Sequence, residues 1–134
     1  MKRNLIRWST ALLMALSAGT SWGSEGGGPK VPGYLKLPKL VVNLSGDRRP
    51  HFIQVMIQAY VETPECLEAV ETNMPVLSNE SIMMISGKPY KEALAGTASE
   101  TWRAELLRRM QQKLKSLSGE TCISELVFSD FIVQ

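Results

Sequence analysis

Between Arg49 and Gly87 the hydrophobic pattern changes period once, and the rest of the chain is arranged around that change. Ile53, Val55, Ile57, Ala59 and Val61 alternate with Gln54, Met56, Gln58 and Tyr60, which predicts a strand of about ten residues with one aliphatic face. The period then lengthens. Leu67, Val70, Met74, Leu77 and Met84 recur at three, four and seven, the spacing of one helical stripe. Thr63 suits the N-cap and Pro64 the first helical position, where a missing N–H costs nothing. Glu65 and Glu68 place negative charge in the first turns. Gly87 and Pro89 end the pattern. Pro75 falls inside it, so the reading is one long helix kinked near Asn73–Met74.

The flanking segments complete an alternation of strands and helices. Leu40, Val41, Val42 and Leu44 predict a short strand, with Pro38 limiting its N-terminal reach. The Ser45–Pro50 turn joins it to the following strand as an antiparallel hairpin. Lys88–Gly96 reads as a connector with one helical turn at Tyr90–Leu94. Thr97 and Glu100 have the spacing of a capping box. Trp102, Leu106, Met110, Leu114 and Leu117 form the apolar stripe of a second helix, which Gly119 ends. Ile123–Gln134 reads as a strand lying within the sheet. The order strand, strand, helix, helix, strand predicts an α+β fold: a small antiparallel or mixed sheet with two main helices on one face.

Three stretches together resemble the FliL family of flagellar basal body-associated proteins. They are YLKLPKLVVNLSG, NMPVLSNESIMMISGKPYKEAL and ELVFSDFIVQ, the last spanning Glu125–Gln134. The matching positions include Asn73, Met74, Pro75, Asp130, Phe131 and Gln134. The resemblance covers residues 34–134 and implies a stomatin/prohibitin-like domain on the periplasmic side of the inner membrane. It also implies self-association as a ring around the stator of the flagellar motor, in support of rotation, motility and chemotaxis. The alternative is a periplasmic stomatin-like scaffold unconnected with motility.

Residues 1–23 differ in kind. Lys2, Arg3 and Arg7 precede the apolar run Trp8–Ala18, and small residues follow, a signal-peptide layout with cleavage expected between Gly23 and Ser24. The alternative is a short membrane anchor, although the run is brief for about 30 Å of hydrocarbon. Family members typically carry a full transmembrane helix and a short cytoplasmic tail; this chain departs from that pattern and resembles an exported, anchorless relative. Residues 24–33 (SEGGGPKVPG) read as a flexible linker. Of the 15 basic and 13 acidic side chains, residues 1–23 hold three basic and no acidic ones. The remainder therefore has a net charge of −1, which argues against a nucleic-acid partner.

Candidate chemistry is sparse. His51, the single histidine, has no evident catalytic partner in the sequence, and neither a nucleophile motif nor a phosphate loop is present. We read no catalytic site, no cofactor and no metal. Cys66 and Cys122 remain open between two readings. A bridge permitted by export would close a loop of about 57 residues and stabilise by about 4 kcal/mol; otherwise they are two buried thiols. The methionines Met56, Met74, Met83, Met84 and Met110 read as core. Yet Ile82, Met83, Met84 and Ile85 are consecutive and span about 300° of a helix at about 100° per residue. That is more than one sheet can cover, so all four are candidates for an interface. Arg103, Arg108 and Arg109 give the second helix a basic face, either simply solvated or set against an acidic neighbour or the inner-membrane surface.

A cleaved leader makes a direct prediction. Intact-mass analysis of the periplasmic fraction should find the chain shortened by about 23 residues, starting at Ser24. Full-length protein in inner-membrane pellets would instead identify an anchor.

Overall fold

The computed structural model describes residues 31–134. The expected leader and its Gly23–Ser24 cleavage point lie outside the described residues, as does most of the linker. The elements are β1 (Gly33–Lys36), β2 (Leu40–Leu44), β3 (His51–Val61), α1 (Pro64–Thr72), α2 (Met74–Ser86), α3 (Tyr90–Ala93), α4 (Ala98–Ser118) and β4 (Ile123–Val133). No helix among them is long and apolar enough to cross a membrane.

The sheet is antiparallel and is built on β3. β2 pairs with the first half of β3, from Leu40 opposite Val55 to Leu44 opposite His51. β1 pairs with the second half of the same side, from Gly33 opposite Val61 to Lys36 opposite Gln58. β4 runs the full length of the other side, with register shifts at Met56/Ile57 and Tyr60/Val61. β1 is an addition to the expected topology. Pro38 interrupts the extended segment and so makes two short strands out of one, while the Leu37 N–H still donates to the Ile57 carbonyl at 2.9 Å. Gly33, read as linker, is the first residue of β1. β4 is also corrected. Among the described residues it pairs with β3 alone, which makes it an edge strand rather than an interior one.

The alternation in β3 sets the layers. Ile53, Val55, Ile57, Ala59 and Val61 are all buried, whereas Gln54, Met56, Gln58 and Tyr60 are half-buried on the opposite face. The helices cover only the first of these faces. α2 lies against β2 and α4, and α4 lies against β4. Trp102, Leu106, Met110 and Leu114 enter the core at intervals of one turn, and Trp102 meets Phe131 edge to face with centroids 5.5 Å apart. Leu117 lies outside this stripe and is exposed.

The expected kinked helix is two helices. Asn73 leaves helical geometry, with φ −98° and ψ 13°, and caps both. Its side-chain amide donates to the Ala69 carbonyl at 2.8 Å, and its own carbonyl accepts from Leu77 at 3.0 Å. Pro75 therefore stands in the first turn of α2, where no N–H is required of it. The predicted capping box is also absent. Thr97 is already in the helical region and makes no side-chain cap bond, while Glu100 turns to Arg103, its partner one turn on. Thr63 does cap α1, accepting from the Cys66 N–H at 3.1 Å, and Gly119 ends α4 at φ 87°, in the left-handed region that favours glycine.

Trp102 joins helix, sheet and connector. Its indole N–H donates to Glu92 on α3 at 2.8 Å. Trp102→Ala should lower unfolding free energy by about 3–5 kcal/mol through cavity formation, measured by urea denaturation. A loss below about 1 kcal/mol would mean that the site can collapse around the missing ring.

Candidate interaction surfaces and the disulfide

Cys66 sits in the first turn of α1, and Cys122 immediately precedes β4. Val61, at the end of β3, is opposite Ile123, so the start of α1 and the start of β4 are brought to the same end of the sheet. The two cysteines form a disulfide there, with Cα atoms 5.0 Å apart and a sequence separation of 56. Cys122 has φ 58°, a left-handed backbone for a non-glycine residue. The Glu120 carboxylate lies 3.4 Å from the Cys66 sulfur. These three side chains have the donor types of a metal site, but sulfurs joined to each other are not available as thiolate ligands.

The apolar run on α2 divides. Met84 and Ile85 are buried in the core, in contrast to their expected role at an interface, because α2 is held between β2 and α4 and those two residues face inward. Ile82 and Met83 are exposed, at 41% and 63%. Two successive residues about 100° apart thus remain on the open side of the helix. Of the other expected core methionines, Met110 is buried and Met56 and Met74 are half-buried.

The basic face of α4 also divides. Arg103 is tied down: its Nε donates to Glu100 at 3.1 Å, and Nη1 reaches the Leu126 carbonyl of β4 at 3.4 Å. Its guanidinium holds the Glu100 carboxyl below the ordinary carboxylate range, first by hydrogen bonding and then by charge. Arg109 pairs with Glu105 at 3.5 Å and Lys113 with Glu80 on α2 at 3.4 Å. Lys88 adds an ion pair to Glu105 at 2.6 Å and lies over the Trp102 ring. Arg108 is exposed. It borders a shallow groove of about 560 Å³ that Glu80 and Glu105 also line. The surface is therefore one of mixed charge.

The positions carrying the resemblance have structural roles. Asn73 ends one helix and starts the next, Met74 packs beside the core, and Pro75 opens α2. Phe131 faces Trp102. Asp130 stands opposite Met56, and Gln134 exchanges backbone hydrogen bonds with Phe52 at 2.8 and 3.0 Å. The sequence reading missed the network around Lys88, Glu92 and Glu105. It joins α3, α4 and the connector that follows α2, and no periodic signal marks it. It also missed the partners of His51. Asp47, four residues earlier across the turn, contacts its ring at 2.9 Å, and the spacing of that pair was visible in the sequence.

Comparison with known proteins settles the relationship. Residues 34–134 match the family described as "Flagellar basal body-associated protein FliL". The chain belongs to the FliL family. The matched segment takes in almost the whole described fold, from β1 to the end of β4. Among curated relatives, the chain is 20% identical over 105 residues to flagellar protein LafL of Vibrio parahaemolyticus, covering 78% of this chain and 63% of that protein. It is 25% identical over 107 residues to flagellar protein FliL of Aquifex aeolicus, covering 79% of this chain and 64% of that protein. It thus spans a little less than two thirds of the length of each of these relatives.

The bridge is the covalent feature of this FliL-family domain. Cys66→Ser with Cys122→Ser should lower stability by about 4 kcal/mol in urea unfolding. Reduction of the unmutated protein should move its midpoint toward that of the double variant. Coincident curves for the oxidised, reduced and doubly substituted forms would show that the bridge adds no stability.

Proposed function

We propose that this protein is a non-catalytic packing module of the bacterial flagellar basal body. In this reading it lies in the periplasm at the inner membrane, self-associates around the motor stator, and supports flagellar rotation, motility and chemotaxis. The observation that carries the reading is the family match over residues 34–134. The two relatives named as flagellar proteins support it. Its side chains also favour packing over chemistry. The histidine is engaged with Asp47 and the end of β4, and the cysteines are joined to each other. The α+β architecture, with helices on one face of a small antiparallel sheet, is consistent with a stomatin/prohibitin-like assignment, which belongs to the same proposal.

The exposed pair Ile82 and Met83 is the contact we propose for self-association, with the Arg108 side of α4 turned toward a basal-body partner or the inner-membrane surface. A head-to-tail contact closes into a ring only if each step repeats the same rotation. The second reading is a periplasmic scaffold unconnected with motility. A clean deletion distinguishes the two. Paralysed or poorly rotating cells with intact filaments in electron micrographs support the motor reading, and normal swimming supports the scaffold.

Two substitutions on α2 make a paired prediction. Met83→Glu should abolish concentration-dependent association in sedimentation while leaving the far-UV spectrum and melting temperature nearly unchanged. Met84→Glu, one residue on, should destabilise the monomer by more than about 3 kcal/mol, because it buries an unpaired charge. A wild-type protein that stays monomeric at every concentration would remove the self-association contact.

A further inference from the structure

His51 lies where three separate parts of the chain meet. It begins β3, and its side chain is only 16% exposed. Nε2 is 2.9 Å from Asp47 Oδ2 in the β2–β3 turn. Nδ1 is 3.2 Å from the main-chain oxygen of Gln134, the residue that follows β4. The ring stacks on Tyr90 of α3, with centroids 3.5 Å apart and planes 10° from parallel. Tyr90 is itself anchored, its N–H donating to the Ser45 carbonyl at 2.8 Å. Turning the ring out of this plane would break the stack, and flipping it within the plane would break both nitrogen contacts.

The chemistry of the two oxygens decides the matter. A main-chain oxygen accepts and cannot donate, whether it belongs to a peptide or to a chain end. A carboxylate likewise only accepts. Each ring nitrogen thus faces an acceptor. A neutral imidazole carries one N–H and one lone pair, so it can satisfy one oxygen and must set a lone pair against the other. Imidazolium donates to both. We propose that His51 is a proton-operated fastener: with its proton it ties the end of β4 to the β2–β3 turn, and without it one of the two ties is lost.

The surroundings support this assignment. Asp47 is held below the ordinary carboxylate range, first by the Arg48 backbone N–H and then by His51, so it is an anion throughout the range in which imidazole titrates. Arg48 and Arg49 are the other charged groups of the same turn; α3 carries Tyr90, Lys91 and Glu92, of which Tyr90 meets the His51 ring and Glu92 accepts from Trp102. The Gln134 main-chain oxygen is also the acceptor for the Phe52 N–H at 3.0 Å, and the Gln134 N–H donates back to the Phe52 carbonyl at 2.8 Å. Losing the His51 tie therefore loosens a backbone pair that can be observed directly. The sign follows from which form is bound. The tie is complete while the ring holds its proton and is lost as rising pH removes it.

Amide hydrogen exchange tests the proposal on the oxidised protein. Protection factors, each corrected for the intrinsic rate at its pH, are measured at Phe52 and Gln134, with Ile57 as the core reference. In the wild type, protection at the first two sites should fall about fivefold between pH 5.5 and 7.5, the effect of roughly one hydrogen bond, relative to Ile57. In His51→Gln it should be flat. Asp47→Asn provides a second variant that retains the ring. An amide can offer its oxygen to an N–H or its NH₂ to a lone pair, so it serves either state of the imidazole, and the pH dependence should shrink here too. A flat wild-type profile overturns the proposal, as does an equal fall in His51→Gln.

Discussion

The structure depends on the burial of one face of β3. Five alternate residues of that strand are almost completely excluded from solvent, and side chains of a strand alternate strictly between faces. A slip of one residue would exchange Ile53, Val55 and Ile57 for Gln54, Met56 and Gln58 against the helices, so the register of every neighbouring strand is fixed by the same alternation. β1 and β2 share one side of β3 and β4 takes the other. The helices have a single apolar surface on which to settle. The disulfide then fixes the point at which the chain leaves β3 for α1 to the point at which it enters β4.

What could be read in the sequence follows from how local each signal is. The β3 alternation and the Trp102–Leu114 spacing are statements about one element and its own period, and both held. The break at Asn73 required a choice between bending one helix and ending it. An asparagine that caps its own helix and starts the next makes ending possible, and only the tertiary position of α2 makes it favourable. The Thr97–Glu100 box competed with the i,i+3 pair of Glu100 and Arg103. Both motifs use the same carboxylate, and once Thr97 adopts helical geometry the ion pair is the one that forms.

The candidate surfaces were less legible for a related reason. Helical geometry shows that Ile82, Met83, Met84 and Ile85 point in different directions, but not which of them a neighbour covers. The position of α2 between β2 and α4 decides that, and it leaves the first two exposed. The tie from Arg103 to β4 leaves no mark in the helical pattern, because its carbonyl acceptor lies 23 residues away on another element. For His51, Asp47 was close enough to notice, whereas Gln134 lies 83 residues further along. In each case the missing information was long-range.

The pairing of β1 and β4 with the same strand has a mechanical consequence. Gly33 stands opposite Val61, at one end of β3, and Gln134 pairs with Phe52, at the other. The first and last described strands therefore leave the sheet in opposite directions, roughly 30 Å apart at about 3.3 Å per residue. Tension between those two ends would load the β1–β3 and β3–β4 ladders along the strands, so that their hydrogen bonds resist together instead of opening one after another. A domain with this layout can be held at its two ends without being peeled apart.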